Sequence, residues 1–305
     1  MKFPILLFSH FSAIKSTYIC QNIFYMNKGI LSFFLAASLF LIPHVSLAWG
    51  AKGHGLVAEI AFHFLDDSTQ QKVKKYLGNL TIEEAANWMD DSKSNSYYDY
   101  MRTWHYMDID KGQHYVPSSE RNIITVLYSA INELKGIDKM KRKDIKRDLL
   151  LIFHLMGDLH QPLHTGYTID KGGNTVNVTS QNFASNLHSA WDTQILESEG
   201  VSLEKCLKVY ETYSPAKVDS VKKINVIGWM NQSRSYLDFV YSFQNGVLDS
   251  TYVQKSVVII EHQLLDGGLR LASVLTDVFK NFKGDVSMNL NNRYFQNNML
   301  PFFIV

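Results

Sequence analysis

Two segments of this sequence each place a histidine and an aspartate four residues apart. His154 and Asp158 lie in HLMGDLHQPLH, and His188 and Asp192 lie in NLHSAWD. In a helix, residues at this spacing project from one face, and imidazole together with carboxylate suits zinc. One such pair is commonly a surface side-chain pair, and that alternative stays open for each pair taken singly. Two pairs within largely apolar segments instead predict a buried metal site, because a cation compensates the cost of burying ionisable groups.

Further candidate ligands lie around these pairs. His164 follows in the first motif, Asp90 stands in NWMDDSK and His105 stands in TWHYMDID. Trp49 and His54 lie farther towards the amino terminus. A single histidine or aspartate is more often structural than functional, so these five residues carry little weight individually.

The elements that must position these residues are mostly helices. Apolar residues recur at the spacing of one helix face in several segments, and glycine or proline follows at the expected ends. The stretch 170–180 contains Gly172-Gly173 and then Thr175, Val176 and Val178, which indicates a short strand or hairpin. The sequence therefore predicts a mainly α, single-domain fold. The predicted helices are 53–65, 69–77, 119–134, 144–160, 184–196 and 251–282.

Residues 1–48 have the pattern of an export signal. Lys28 precedes an almost wholly apolar run over residues 30–43, and Ser46-Leu47-Ala48 provides a small-x-small cleavage site. We expect cleavage after Ala48, with an uncleaved membrane anchor as the alternative. Met26 is a better translation start than Met1 for a chain with such a signal. Cleavage would leave a secreted or periplasmic protein without a stable membrane anchor.

Charge and cysteine content narrow the function classes. Removing the three lysines of residues 1–48 from the 30 basic residues leaves 27 against 29 acidic residues, so the remaining chain is mildly acidic. Such a chain is not a protein that neutralises duplex phosphates over a wide surface. Only Cys206 follows residue 48, which excludes an intramolecular disulfide after cleavage and favours a role in core packing.

Taken together, the motifs resemble the S1/P1 nuclease family of zinc phosphodiesterases, within the phospholipase C/P1 nuclease superfamily. The resemblance runs from residue 49 to about residue 195 and is weaker in GGLRLASVL near the carboxyl end. It implies the helical fold of that superfamily with a short β-hairpin, in a nuclease domain over 49–282 between the leader 1–48 and a loose tail 283–305. The matching stretches are WGAKGH from Trp49, WMD from Trp88, HYMD from His105, HLMGDLHQPLH from His154, GGN from Gly172 and NLHSAWD from Asn186.

The resemblance implies three Zn²⁺ ions. Asp158 would bridge the first two, and the amino terminus freed at Trp49 would be a ligand, which couples export to metal loading. The first ion would be held by Asp90, His105, His154 and Asp158. The second would be held by the α-amine and carbonyl of Trp49, by His54 and by Asp158, and the third by His164, His188 and Asp192.

The resemblance also implies the reaction. A hydroxide shared by the two zinc ions that Asp158 bridges would attack phosphorus in single-stranded DNA or RNA and leave 5′-phosphate products. The resemblance implies 3′-nucleotidase activity as well. Lys93 would steady the charge on phosphorus and Asp110 would orient the water. Tyr106 would stack on a base and Asp108 would accept from its edge, and stacking favours unpaired bases. A solvated lysine and a core tyrosine are the alternatives for Lys93 and Tyr106.

Two rival functions are compatible with the same residues. A zinc phospholipase C shares the superfamily, but it ends its ligand set with Glu and spaces the first Trp and His farther apart, so Asp192 and His54 favour the nuclease. A non-catalytic zinc-storage protein would use the same binding residues. The sequence indicates no protein partner.

Overall fold

The fold consists mainly of α-helices. We describe the fold from a computed structural model, in which residues 49–280 and Phe282 are described. The α-helices are α1 Ala51–Phe64, α2 Asp67–Leu77, α3 Ile82–Asp91, α4 Ile123–Leu134, α5 Arg142–Leu159, α6 Leu187–Ser189, α7 Ile195–Ser198, α8 Leu203–Tyr210, α9 Pro215–Val221, α10 Val226–Arg234, α11 Leu237–Val240 and α12 Ser250–Phe279.

Shorter elements complete the fold. A π-helix joins α6 to α7, and five 3₁₀-helices lie between the longer elements. An antiparallel hairpin pairs β1 with β2, with Val178 opposite Ser185. The mainly α prediction, with a short hairpin, is confirmed. The π-helix is Ala190–Gln194, the 3₁₀-helices are Ser92–Ser94, Ser96–His105, Ile137–Lys139, Pro162–Thr165 and Thr168–Asp170, and the strands are β1 Asn177–Thr179 and β2 Ala184–Asn186.

Local chemistry explains where the helices begin. Thr81 and Glu84 form a capping box at the start of α3, in which each side chain accepts a hydrogen bond from the other residue's backbone N–H. Asn122 caps α4 in the same way with Thr125. Asp249 accepts from Tyr252 N at the start of α12. These caps satisfy N–H groups that the first turn of a helix leaves without partners.

The core is formed where α12 packs along α1 and where α5 packs between α3 and α4. A glycine of α12 allows the first of these contacts. A Cβ at Gly268 would lie 2.3 Å from Ile60 Cγ2, so only glycine permits this approach of α12 to α1. The α1 helix is thereby fixed beside α5, with which it also packs. Among the described residues, no helix combines the length and apolar character needed to cross a membrane.

The sequence prediction was wrong at the start of one helix. Residues 184–196 were predicted as one helix, but Ala184–Asn186 is strand β2. Asn186 instead caps α6, since its side chain accepts from Ser189 N at 2.8 Å. Helices α3, α8, α9, α10 and α11 were not predicted at all, because packing against the core stabilises segments whose apolar pattern is short. The leader 1–48 and the tail 283–305 lie outside the described residues.

Candidate metal centre

Asp158, near the carboxyl end of α5, is the centre of the predicted ligand set. Its Oδ2 lies 3.0 Å from His105 Nδ1 and 3.2 Å from His154 Nε2. Its Oδ1 lies 3.3 Å from His54 Nε2 and 3.6 Å from His164 Nδ1. The two carboxylate oxygens therefore face different histidines, which is the arrangement that a carboxylate shared by two cations requires.

Asp90 on α3 completes this half of the cluster. Its Oδ1 lies 3.6 Å from His154 Nε2 and 3.7 Å from His105 Nδ1. The rings of His54 and His154 stack with centroids 4.0 Å apart. Two overlapping groups of donors could each hold a metal ion, and both contain His154. They are His54, Asp90 and His154, and His105, His154 and Asp158.

A separate group contains the second His/Asp pair. His188 Nε2 lies 3.1 Å from Asp192 Oδ2, so both side chains do project from one helix face. His164 joins them, with its Nε2 3.8 Å from Asp192 Oδ1 and its ring 4.9 Å from that of His188. These three buried residues could hold one metal ion, and they are the set predicted for the third zinc. Asp192 lies in the π-helix, a local widening that often occurs at functional sites.

Backbone carbonyls orient three of the imidazoles. A carbonyl oxygen can only accept, so each Nδ1 must carry the proton and each Nε2 presents a lone pair towards the cluster. Such outer hydrogen bonds are the usual means of orienting a metal-binding histidine. The pairs are His154 with Ala86 O (2.7 Å), His164 with His105 O (2.7 Å) and His188 with Gly172 O (2.6 Å).

Two glycines shape the loop that supplies the last of these carbonyls. Gly172 and Gly173 have φ of +60° and +80°, a region that residues with a Cβ rarely adopt. A Cβ at Gly172 would also lie 2.3 Å from Leu163 O. The loop thereby brings the Gly172 carbonyl to His188 and helps to orient a ligand of the third group.

The donor atoms of the cluster fit a cation because many have no other partner. Within residues 49–280 and Phe282, the buried atoms without a hydrogen-bond partner include several that point into the cluster. Leaving one such atom unsatisfied costs about 1–3 kcal/mol, so several together call for bound cations. Imidazole nitrogen with carboxylate oxygen is a donor set that zinc accepts. These atoms are both ring nitrogens of His54, Asp158 Oδ1, His164 Nε2 and Asp192 Oδ2.

The protonation states also suit a metal. Burial lowers the pKa of His105 to about 4 and lowers the pKa of His164. Burial alone would raise the pKa of Asp158, but His154 and His164 outweigh it and hold that pKa well below the ordinary value. Neutral imidazole and ionised carboxylate are the forms that bind a metal ion. His154 and His188 are the exceptions. Asp158 and Asp90 outweigh burial and raise the pKa of His154, Asp192 does the same to the pKa of His188, and a bound cation would oppose both protonations.

Trp49 lies against the cluster. Its side chain is fully buried, and the next residue, Gly50, donates its N–H to Asp192 O at 2.9 Å. A Cβ at Gly53 would lie 2.9 Å from Trp49 Cβ, so the first turn of α1 folds closely over Trp49. These contacts join residues 49–50 to the first turn of α1 and to Asp192 of the third group.

The predicted catalytic residues Lys93 and Asp110 differ in position. Lys93 Nζ lies 2.5 Å from Asp90 Oδ1 and is 20% exposed, so it contacts the cluster and is not a freely solvated lysine. Asp110 is exposed, and its carbonyl accepts from Gln113 N at 3.0 Å in a turn. In the described part of the chain, the Asp110 carboxylate makes no hydrogen bond or ion pair with the cluster.

The two predicted substrate contacts follow His105 directly. Tyr106 is 42% exposed, which leaves its ring face available and is inconsistent with plain core packing. Asp108 is half-buried, burial raises its pKa to about 6, and its Oδ1 has no hydrogen-bond partner among the described residues. An acceptor of this kind is suited to a donor from a ligand.

Sequence reasoning missed two residues that support the site. Gln161 donates from Nε2 to Asp192 Oδ1, and its position between two ligands of the HLMGDLHQPLH motif is the only signal of this role. Arg234 on α10 donates to Thr165 O, to Gly166 O at 3.0 Å and to Ile109 O at 3.0 Å. No local sequence pattern indicates the role of Arg234, because its partners are backbone carbonyls about seventy or more than a hundred residues away in the chain.

A comparison with known protein families identifies the family of this chain. The model of the family described as S1/P1 Nuclease matches residues 49–280. The chain belongs to the S1/P1 nuclease family. The enzymes of this family hydrolyse phosphodiester bonds of nucleic acid, so the chain is a nuclease, and the predicted membership is confirmed.

Individual relatives cover most of the chain. It is 27% identical over 280 residues to Endonuclease 5 of Arabidopsis thaliana, covering 78% of this chain and 93% of that one. It is 26% identical over 284 residues to Nuclease S1 of Aspergillus oryzae, covering 79% and 95%. It is 24% identical over 270 residues to Nuclease P1 of Penicillium citrinum, covering 75% and 97%. Each alignment covers at least three quarters of this chain, and the family match over residues 49–280 contains the whole metal centre.

Proposed function

We propose that this chain is an exported zinc nuclease that cuts single-stranded DNA and RNA to 5′-phosphate products and also hydrolyses 3′-nucleotides. The observation that carries this proposal is the buried cluster around Asp158, whose two oxygens face different histidines. A carboxylate in this position suits two neighbouring cations, as in other two-metal phosphodiesterases.

Three zinc ions fit the donors. Asp90, His105, His154 and Asp158 would hold the first, and His164, His188 and Asp192 the third. The second would be held by His54, by Asp158 and by the amine and carbonyl of Trp49. His54 supports this assignment, because both of its ring nitrogens lack a hydrogen-bond partner in the described chain and Nε2 faces Asp158.

The chain's own residues would then bind and steady the phosphate. Bound zinc supplies Lewis acidity and lowers the pKa of a coordinated water towards neutral. Lys93, with its amine beside Asp90, would place a positive charge where charge accumulates on phosphorus. Asp158 is the catalytic carboxylate that positions both ions. Asp110 remains a proposed water-orienting residue, and its exposed position would require the loop to turn inwards.

Tyr106 and Asp108 would bind one base of the substrate. The exposed Tyr106 ring provides a stacking surface that tolerates any base, and Asp108 Oδ1 provides an acceptor. A paired base reaches such a slot only after it leaves the duplex, which supports a preference for single strands.

Export is part of the proposal. Cleavage after Ala48 would free the Trp49 amine beside His54, so a complete metal site would form only after secretion or transport to the periplasm. The burial of Trp49 and the hydrogen bond from Gly50 to Asp192 O support this, since the residue after Trp49 contacts a proposed ligand of the third ion.

The test combines amino-terminal sequencing of the exported chain, a zinc count and rates on several substrates. We expect Trp49 as the first residue, three zinc ions per chain, and faster cleavage of single-stranded than of duplex DNA. His154→Ala should lose zinc and activity. His114→Ala, which removes an exposed histidine, should keep both.

The same experiment decides between the rival functions. Hydrolysis of phosphatidylcholine without cleavage of DNA would indicate a phospholipase C. Three bound zinc ions with no cleavage of any phosphodiester would indicate zinc storage. Full activity in a chain that begins elsewhere than Trp49 would contradict the role of the amino terminus.

A further inference from the structure

A cavity of about 320 Å³ is lined by helix α4 and by three segments that also contain candidate ligands. Trp88 lies near Asp90 in the sequence, Trp104 precedes His105, and Leu151 lies one turn before His154. The helices α3 and α5, which carry ligands of the metal cluster, therefore also form walls of the cavity. Its other walls include Tyr100, Arg121 and Asp148.

Asp148 is a buried carboxylate with an unused acceptor. It is 1% exposed, and its Oδ1 accepts from Arg147 Nε at 2.7 Å. Its Oδ2 has no hydrogen-bond partner among the residues that the structure describes. Arg147 also donates to Glu133 at 2.9 Å and lies 3.8 Å from Asp144, so its charge is shared among three acids. A donor from a ligand in the cavity would restore the hydrogen bond that Oδ2 lost on burial.

The mouth of the cavity is aromatic and cationic. Tyr100 is 57% exposed, and its ring meets that of Trp104 edge to face with centroids 5.2 Å apart. The Arg121 guanidinium lies over Trp104, 4.6 Å from the ring centroid. A second, shallower cavity of about 430 Å³ shares these three residues, so the aromatic surface continues outwards. Exposed rings with arginine are the usual means of binding single-stranded nucleic acid.

We propose that this cavity binds a second nucleobase of the single-stranded substrate, stacked on Tyr100, with its amino group donating to Asp148 Oδ2 and its phosphate beside Arg121. The inference rests on the proposed function, because it assigns part of the same substrate. It does not involve Tyr106 or Asp108, which lie beyond His105 in the chain.

Each contact matches one part of a nucleotide. The ring of Tyr100 suits the flat face of any base, and the guanidinium suits a phosphate oxygen. The Asp148 acceptor suits the amino groups of cytosine, adenine or guanine, and it offers nothing to thymine, which has no amino group. A protein partner would have no need of a buried acceptor in the wall of a cavity.

Tyr100→Ala tests the stacking contact in the zinc-loaded enzyme. We expect KM for a 12-residue oligo(dC) to rise about tenfold with little change in kcat, because one stacked base is lost. KM for a 3′-nucleotide, which has a single base, should not change. Tyr100→Phe should behave as wild type. Tyr128→Ala is the matched control, since Tyr128 is 61% exposed and lines neither cavity.

Asp148→Asn tests the acceptor. The ratio of kcat/KM for oligo(dC) to that for oligo(dT) should fall by about threefold, because an amide oxygen accepts less strongly than a carboxylate. An unchanged oligo(dC) KM in Tyr100→Ala, or an equal rise for the 3′-nucleotide, would overturn the inference and leave the cavity to another ligand. Failure of the wild-type enzyme to cut oligo(dC) would instead refute the proposed function.

Discussion

Gly157, one residue before Asp158, leaves the space that the His54 ring occupies. A Cβ at Gly157 would lie 2.5 Å from His54 Nδ1 and 2.9 Å from His54 Cε1. Since real Cβ contacts are not found below 3.0 Å, Gly157→Ala must move the imidazole by at least half an ångström. The ring cannot simply retreat, because it stacks on His154 at 4.0 Å.

The expected loss is in metal binding more than in stability. Overpacking costs about 1–3 kcal/mol, and alanine regains about 1 kcal/mol of helix propensity, so the net change in the free energy of unfolding should be small. Ligand distances in metal sites tolerate about 0.2 Å, which is less than the required shift. We therefore expect the second zinc to bind about 10–100-fold more weakly, as when a supporting residue of a metal site is lost.

The assay is a zinc titration by native mass spectrometry, together with the rate on single-stranded DNA. Gly55→Ala is the control, because Gly55 lies on the same helix as His54. A Cβ at Gly55 would meet Glu83 Cγ at an ordinary distance of 3.7 Å. It should keep three ions and full activity. Three tightly bound ions and an unchanged rate in Gly157→Ala would refute the placement of His54 as a ligand.

Three further predictions concern supporting residues. Gln161→Met removes the donor to Asp192 and should weaken binding of the third zinc about tenfold or more, measured by competition with a chelator. Arg234→Met removes three hydrogen bonds to backbone carbonyls and should lower the free energy of unfolding by about 2–3 kcal/mol in urea. Burial raises the pKa of Asp148 to about 6 from 3.8, so its ionisation costs stability as pH rises between these values. The free energy of unfolding of Asp148→Asn relative to wild type should therefore rise by up to about 3 kcal/mol between pH 4 and pH 7. The same difference at both pH values would contradict this prediction.

Local geometry was readable from the sequence. The i,i+4 spacing of His154 with Asp158, and of His188 with Asp192, predicts a shared helix face, and the structure has both pairs on one face. Apolar periodicity likewise predicted α1, α5 and α12 to within a few residues. These features depend on the repeat of a single helix, so no distant contact is needed to predict them.

The family resemblance predicted further ligands that residue spacing alone could not connect. Asp90, His105 and His54 come from separate segments, and their types by themselves indicate little. The structure places all three within a few ångströms of Asp158 or His154. The strand at Ala184–Asn186 shows the limit of periodicity, because pairing with β1 decided its conformation.

Only the tertiary structure decided which groups support the site. Gln161 and Arg234 acquire their roles from partners that packing brings to them, and backbone carbonyls have no signature in a sequence. The same holds for Gly157, whose importance is the absence of a Cβ facing a ring on another helix. The sequence by itself determined which ligands share a turn of helix, because that geometry is local. The packing of α1, α3 and α5 decided how those turns converge and how much space remains between them, because both depend on residues far apart in the chain.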